Sequence, residues 1–325
     1  MTTKKIKTAT ALFFAISCLA CNLAWSQANI DESRETATLY VDAIKGSDSN
    51  PGTSQLPLKT IGAAATKAVS NNQAGVGTKV IIRAGTYRES VTMTLSAKDT
   101  TFPITFQAAT TGTAIISGAD VWTGWKVYNG NTKIYTHTWG NKWGLCERDG
   151  GTGNPPPEQD IVRRREMAIV NGTLMSQVMS LSAMRVGTFY VNESNSTIYL
   201  WPPTGTDINN ATVEIGIRPD LFTLNGKSNI VLRGLTFQYS NPCRIDAVVD
   251  VLNAASNILV DNSFFYWNNS NALKFTHTTY MTIQNSIFNH SGSRGAKGIN
   301  TKYDLWQNNQ FNFNGWRGAQ GVYYY

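Results

Sequence analysis

Asn257-Ile-Leu-Val-Asp-Asn262-Ser-Phe-Phe265-Tyr-Trp is followed by Tyr280-Met-Thr-Ile-Gln-Asn285-Ser-Ile-Phe288-Asn-His and Tyr303-Asp-Leu-Trp-Gln-Asn308-Asn-Gln-Phe311-Asn-Phe. Asn262, Asn285 and Asn308 step by 23, and Phe265, Phe288 and Phe311 keep the same step. An earlier line, Asn229-Ile-Val-Leu-Arg-Gly234-Leu-Thr-Phe237, has Gly234 in the Asn slot, 28 residues before Asn262. A fixed period in the twenties marks a repeat in which each unit stacks on the last. Within a line the apolar residues alternate and are β-branched or aromatic, so the lines read as strands. Asn and Gly tolerate the left-handed conformation that a sharp corner between strands needs. Stacked corners align Asn262, Asn285 and Asn308, whose amides are placed to hydrogen-bond up the stack. One coil cannot bury its inner face alone, whereas stacked coils can, so the repeat predicts a parallel β-helix, a solenoid. Regularly spaced Leu is missing, which excludes a leucine-rich repeat.

Working outward, 325 residues accommodate one long solenoid with an inserted module. A hydrophobic content of 42% with 15% charged residues suits an ordered chain. Lys4, Lys5 and Lys7 followed by an apolar run from Ala9 to Leu23 and by Ser26-Gln-Ala28 form a secretory signal over residues 1–28. Ala15-Ile-Ser-Cys18 loosely resembles a lipoprotein box without its usual Leu, so export to the periplasm, cell surface or medium is favoured over lipidation. The apolar run is short for a spanning helix. Those three lysines account for three units of the formal net charge of +7, leaving +4. That is too little to point to nucleic acid, and no basic aromatic cluster is present. Beyond the leader only Cys146 and Cys243 remain, enough for one bridge; their separation does not decide whether they meet.

Residues 38–120 read as a cap and first coils. Thr60 is an N-cap, and Ile61, Ala64, Ala65, Ala68 and Val69 fall on one face of a helix placed to cover the open end. Residues 121–219 break the rhythm. Trp122, Trp125, Trp139 and Trp143 crowd together, and a Gly- and Pro-rich loop over 150–157 has Asp149, Glu158 and Asp160 nearby. Strand-like runs at Met167–Val170, Thr188–Val191 and Thr197–Trp201 with Asn171-Gly172 punctuation predict a small antiparallel β module. Residues 220–325 return to coils. The chain stops at Tyr323-Tyr-Tyr325 without a cap, so an incomplete reading frame is expected.

Tyr40-Val-Asp42, Gly46-Ser-Asp-Ser-Asn-Pro-Gly-Thr53, Pro57-Leu-Lys-Thr-Ile61 and Ala84-Gly-Thr-Tyr-Arg-Glu89 resemble the N-terminal block of secreted right-handed parallel β-helix proteins. Pro103-Ile-Thr-Phe106, Ile116-Ser-Gly-Ala119 and Gly124-Trp125 extend the likeness. Such blocks occur in polysaccharide lyases similar to family 9 pectate lyases and in glycoside hydrolases similar to families 120 and 141. The resemblance implies an all-β, right-handed parallel β-helix with an inserted β module, and a polysaccharide or oligosaccharide partner. Arg164-Arg-Glu-Met167, Asn171-Gly172 and Gly187-Thr-Phe-Tyr190 fit the module of the hydrolases, which favours hydrolysis over the alternatives: a calcium-assisted lyase, or a non-catalytic glycan-binding surface protein. A monomer is expected. No catalytic residue of those families maps onto a position here.

Chemistry on a solenoid is assembled across neighbouring coils. A glycosidase needs two carboxyls, and a lyase a base with a cation. Asp246 and Asp250, four apart in an extended strand, face one side. With Lys274 and Lys297 they are the catalytic candidates; Asp261, His277, Lys302 and Asp304 lie in the same coils. Trp139, Trp143, Arg294, Trp316 and Arg317 are candidates for holding sugar, by aromatic faces and guanidinium donors. Asp42, Asp48 and Asn50 offer oxygens for a calcium ion, though turn chemistry explains them equally well.

Overall fold

The computed structural model describes residues 27–147, 160–243 and 245–317, with the backbone of 323–324. Most of the signal segment expected over residues 1–28, together with Asp149, Glu158 and the loop 150–157, lies outside the described residues. The β-branched lines form strands whose pairing is parallel throughout three sheets of seven, six and six strands. The chain visits them in turn. Gly77–Ile82 lies in sheet A, Gly85–Tyr87 in sheet B and Val91–Thr94 in sheet C; Ile104–Ala108 then returns to sheet A. The cycle continues through Ile230–Arg233, Leu235–Gln238 and Ala247–Leu252 to Gln310–Asn312.

The repeat fixes the register. Ile230 pairs with Ile258, Ile258 with Met281, and Leu232 with Val260, so inward side chains stack on their own kind. Phe237, Phe265, Phe288 and Phe311 form a stacked ladder, with ring centroids 5.0, 4.6 and 4.8 Å apart. That is the spacing of adjacent strands in a sheet. The corners are left-handed where Asn or Gly was expected: Gly234 has φ 68, Asn262 47, Asn285 53 and Asn308 53. The Asn ladder is shorter than expected. Asn308 donates to Asn285 at 3.4 Å, but Asn285 and Asn262 both donate to the Asp261 carboxylate, at 3.1 and 2.9 Å. A charged acceptor outcompetes a neighbouring amide.

Helix α1, Ile61–Gln73, buries Ile61, Ala64, Ala65 and Ala68 against the first coils. Thr60 accepts from the Ala63 amide, and the Glu89 carboxylate takes the free amides of Ile61 and Gly62 at 2.9 and 2.8 Å. A carboxylate there satisfies orphan donors and the helix dipole together.

Between the sheet B strand Ala114–Ser117 and the sheet C strand Phe222–Asn225 the chain leaves the coils. It builds a four-stranded antiparallel sheet, and a five-stranded sheet that is antiparallel apart from the short pair Ser176–Gln177 with Thr188–Asn192. Trp125, Trp139, Phe189, Ile198, Leu200, Val213 and Ile215 fill the module's own core. The next coil is also longer at this B-to-C corner. Tyr239 and Trp267, equivalent left-handed corner residues, are 28 apart, whereas Trp267 and His290 are 23 apart. By Ala247, which pairs with Asn271, the offset has fallen to 24, so four of the five extra residues lie between Tyr239 and Ala247. Cys146 of the module and Cys243 of this enlarged corner form a disulfide, Cα–Cα 5.5 Å, which closes the question the sequence left open. Among the described residues no helix is long and apolar enough to cross a membrane.

Candidate functional site

Alternation along sheet C turns Val249 and Val251 inward and Asp250 outward. The register then builds one column across the coils, Thr92, Thr223, Asp250, Lys274 and Lys297. Lys274 Nζ sits 2.9 Å from Asp250 Oδ2 and donates to the Ile245 carbonyl at 3.3 Å. Burial pushes the Asp250 carboxyl up, against the pull of Lys274.

Asp246 does not share the strand with Asp250, contrary to the extended reading of the pair. It lies in the turn ahead of it, its amide donating to the Cys243 carbonyl at 3.0 Å while its carbonyl accepts from Asn271 at 2.8 Å. The four added corner residues curl the backbone there. The two acids still share a neighbourhood, since Asp246 raises Asp250 further.

The sequence reading missed Asp220. It follows Pro219 where the module hands the chain back to sheet C, outside any periodic run. Its carboxyl is pushed up to about 6, first by burial, then by the charges of Asp246 and Asp250, with Lys274 and Arg165 opposing. Its one sequence signal is an acid immediately before a returning strand, which is common in turns.

From the module, Arg165 comes within electrostatic reach of the same acids. Its Nε donates to the Asn241 carbonyl at 2.9 Å, and its guanidinium lies over the Trp143 ring at 4.7 Å. Burial lowers its pKa, while Asp246, Asp220 and Glu166 oppose the shift. Arg164 and Glu166, on either side of Arg165 in the chain, pair with each other instead. Glu166 is fully buried and also accepts from Gln177 at 3.0 Å.

Several sugar-binding candidates serve other ends. Trp139 is 0% exposed in the module core, edge-on to Trp143 at 5.1 Å, because packing aromatics together removes more apolar surface from water than lining a groove would. Trp143 is half-buried beneath Arg165. Arg294 is only 5% exposed. Arg317 donates to the carbonyls of Ile161 and Glu166 at 3.2 and 2.9 Å, fastening the last described coil to the module; burial pushes it down to about 10. Trp316 donates to the His290 carbonyl at 2.8 Å and lines a cavity of about 530 Å³ with Trp267 and Arg317. His277 is exposed, its Nε2 3.1 Å from the Asn300 amide nitrogen. Asp261 belongs to sheet A, held by Arg233 at 3.0 Å, and so leaves the sheet C groups.

The expected calcium turn is spent on hydrogen bonds. Asp42 accepts from the amides of Ile44 and Lys45 and pairs with Arg83 at 3.2 Å. Asp48 accepts from the amides of Lys59 and Thr60, and Asn50 donates to the Pro57 carbonyl. Among the described residues no three His, Cys, Asp or Glu groups gather closely enough to hold a metal ion, Asp220, Asp246 and Asp250 included. The described residues thus offer no such cluster for the calcium of a calcium-assisted lyase.

No family model and no curated protein sequence matches this chain. Solved structures do. A glycoside hydrolase superposes with TM-score 0.59 at 12% identity, covering 81% of this chain and 67% of its own. XylC in complex with xylose gives TM-score 0.56 at 16% identity, covering 85% and 64%. The pectate lyase Pel9A reaches TM-score 0.34 at 13% identity, over 82% of this chain and 52% of its own. The chain thus spans about two thirds of the length of the first two, and what it shares with them is the fold.

Proposed function

We propose that this is an exported right-handed parallel β-helix protein that hydrolyses glycosidic bonds at the seam between sheet C and the inserted module. The observation that carries the reading is the Asp250–Lys274 pair on sheet C, with Asp220, Asp246 and Arg165 near enough for their charges to act on one another. Glycoside hydrolysis needs one carboxyl that keeps its proton and another that is ionised. Asp220, at about 6, is the proton donor to the glycosidic oxygen. Asp246 takes a proton from the attacking water, and Asp250 fixes Lys274. The fold likeness to two carbohydrate-active proteins supports the choice of substrate class. The Lys274 amine is held by Asp250 at 2.9 Å and by the Ile245 carbonyl at 3.3 Å, which leaves it poorly placed to act as the base of an elimination.

The test is incubation of the secreted protein with a panel of plant and bacterial polysaccharides. New reducing ends without ultraviolet absorbance, lost in Asp220→Asn, are expected. Products absorbing through a new carbon–carbon double bond would replace hydrolysis by elimination. Retained binding with no product from any polysaccharide would leave a glycan-binding protein.

A further inference from the structure

Arg163, Arg164 and Arg165 stand side by side in the module, yet only two of them hold a carboxylate. Arg163 pairs with Asp160 at 3.6 Å, and Arg164 pairs with Glu166. Where module and coils join, Arg88 pairs with Glu214 at 2.8 Å and Arg218 with Asp120 at 2.7 Å. Arg165 forms no ion pair among the described residues. Asp220, Asp246 and Glu166 act on it through charge alone. Of the acids around it, Glu166 is already taken by Arg164, and Asp250 by Lys274.

The Arg165 guanidinium is nevertheless fixed on two sides. Its Nε donates to the Asn241 carbonyl at 2.9 Å. Asn241 is fully buried and itself anchored, its amide donating to the Arg218 carbonyl at 3.0 Å and its Nδ2 to the Gly216 carbonyl at 3.0 Å. The flat face of the guanidinium lies 4.7 Å from the Trp143 ring centre. Trp143 in turn stands edge-on to Trp139 at 5.1 Å, and its amide donates to Glu193 at 2.9 Å. Only the far end of Arg165 is left. Neither Nη1 nor Nη2 bonds to a described residue, and neither is a buried atom, so both are open to solvent.

A half-buried guanidinium held by a carbonyl and an indole has lost water without gaining a counter-ion, and burial lowers its pKa. An anionic ligand at the open end offsets that cost, which a neutral hydroxyl does not. Two adjacent N–H groups in a planar fork also match the two oxygens of a carboxylate, whereas a hydroxyl oxygen takes one of them. Because the fork is already oriented, gripping a ligand costs it little rotamer freedom.

We propose that Arg165 is the specificity-determining residue of the seam, its two Nη groups gripping the carboxylate of a uronic acid unit, so that the polysaccharide cut there is an acidic one. The inference rests on the hydrolase reading above for the reaction and adds the substrate class. An acidic unit is tolerated beside Asp220 because the donor role keeps that acid protonated, and Asp250 is met by Lys274.

The experiment is titration calorimetry on the full chain with trigalacturonate, triglucuronate and trimannuronate, each against its methyl ester, which keeps the sugar and removes the charge. Saturable binding of at least one acidic trisaccharide is expected, about tenfold or more tighter than its ester. Arg165→Lys keeps the charge and loses the fork, so it weakens the acidic probe by about tenfold and the ester far less. No binding of any acidic probe, esters bound as tightly as the acids, or acidic affinity unmoved by Arg165→Lys would overturn the proposal. The comparison of acid with ester needs no variant, so it decides even where a substitution disturbs the module. The two readings fail separately. A chain that binds an acidic trisaccharide through Arg165 but releases no reducing ends from any polysaccharide loses the hydrolase assignment and keeps the carboxylate site. A chain that cleaves only neutral polysaccharides keeps the hydrolase assignment and loses the role given to Arg165.

Discussion

The coil body and the inserted module are both β structure, yet they cohere by opposite means. In the body each strand pairs with the strand one coil away, such as Ile258 with Met281, and every inner side chain meets its own equivalent. Stability there is a sum of near-identical neighbour contacts. The module pairs Val121 with Glu214 and Ile198 with His137, contacts that no period relates, and its core is one cluster around Trp139, Phe189 and Leu200. Such long-range contacts carry the entropy of closing long loops. The candidate chemistry lies in neither region alone. Sheet C supplies Asp250 and Lys274, the module supplies Arg165, and Asp220 stands where one becomes the other. A regular scaffold offers a fixed column of outward positions, and an irregular insert offers a wall to set against it.

Several experiments would break or sharpen that contrast. The largest effect is expected at the seam: Asp220→Asn should lower the rate of polysaccharide cleavage by about 10²–10⁴, the usual worth of a general acid. An unchanged rate would move the site elsewhere. In the body, Phe265→Ala opens the middle of a four-ring ladder and should cost about 3–5 kcal/mol in urea unfolding. A loss well under 1 kcal/mol would mean that the coils collapse around the gap, and the jigsaw view of the body would fail. Cys146→Ser with Cys243→Ser should cost about 2–5 kcal/mol, because the bridge closes a 97-residue separation. Hydrogen exchange should then speed up in residues 241–246 and in the module while the Phe265 coil stays protected; uniform acceleration would show that the two regions do not behave separately.

The pH dependence has a definite sign. Asp220 is raised in the folded state, so folding takes up protons there. Its contribution to stability is most favourable below the ordinary carboxylate range and is lost as pH rises toward about 6. Asp220 is partly exposed, so solvent screening keeps the effect below the roughly 3 kcal/mol that a fully buried group shifted this far would show. Asp220→Asn should therefore raise Tm at pH 8 and not at pH 3. An equal change at both would detach the shift from this residue. The smallest effect is expected at a corner. Asn285→Ala removes the polar side chain that lets Asn tolerate φ 53 and that donates to Asp261, and should cost about 1–2 kcal/mol, with Asn285→Gly closer to neutral.

Much of the body was legible because parallel strands stacked at a fixed period make tertiary neighbours out of sequence repeats. Asn262, Asn285 and Asn308 announced their left-handed corners, Phe265, Phe288 and Phe311 their ladder, and Ile61 with Ala64 and Ala68 the buried face of α1. The same logic put Asp250 beside Lys274 and Lys297, one coil apart in register. It failed for Asp246, because four residues added at one corner pull that acid out of the strand. It failed again for Trp139, whose aromatic character suits a sugar groove and a module core equally; only burial distinguishes them.

By itself the sequence determined which side chains repeat, and hence which stack, since a period of 23 with Asn at a fixed slot admits one alignment of coils. Tertiary structure alone decided where the module lies, that Cys146 meets Cys243, and that Asp220, Asp246 and Arg165 act on one another's charge. The physical reason is that these groups come from segments related by no repeat. Their meeting depends on where an irregular insert folds back, and local patterns of apolar and polar residues carry no record of that.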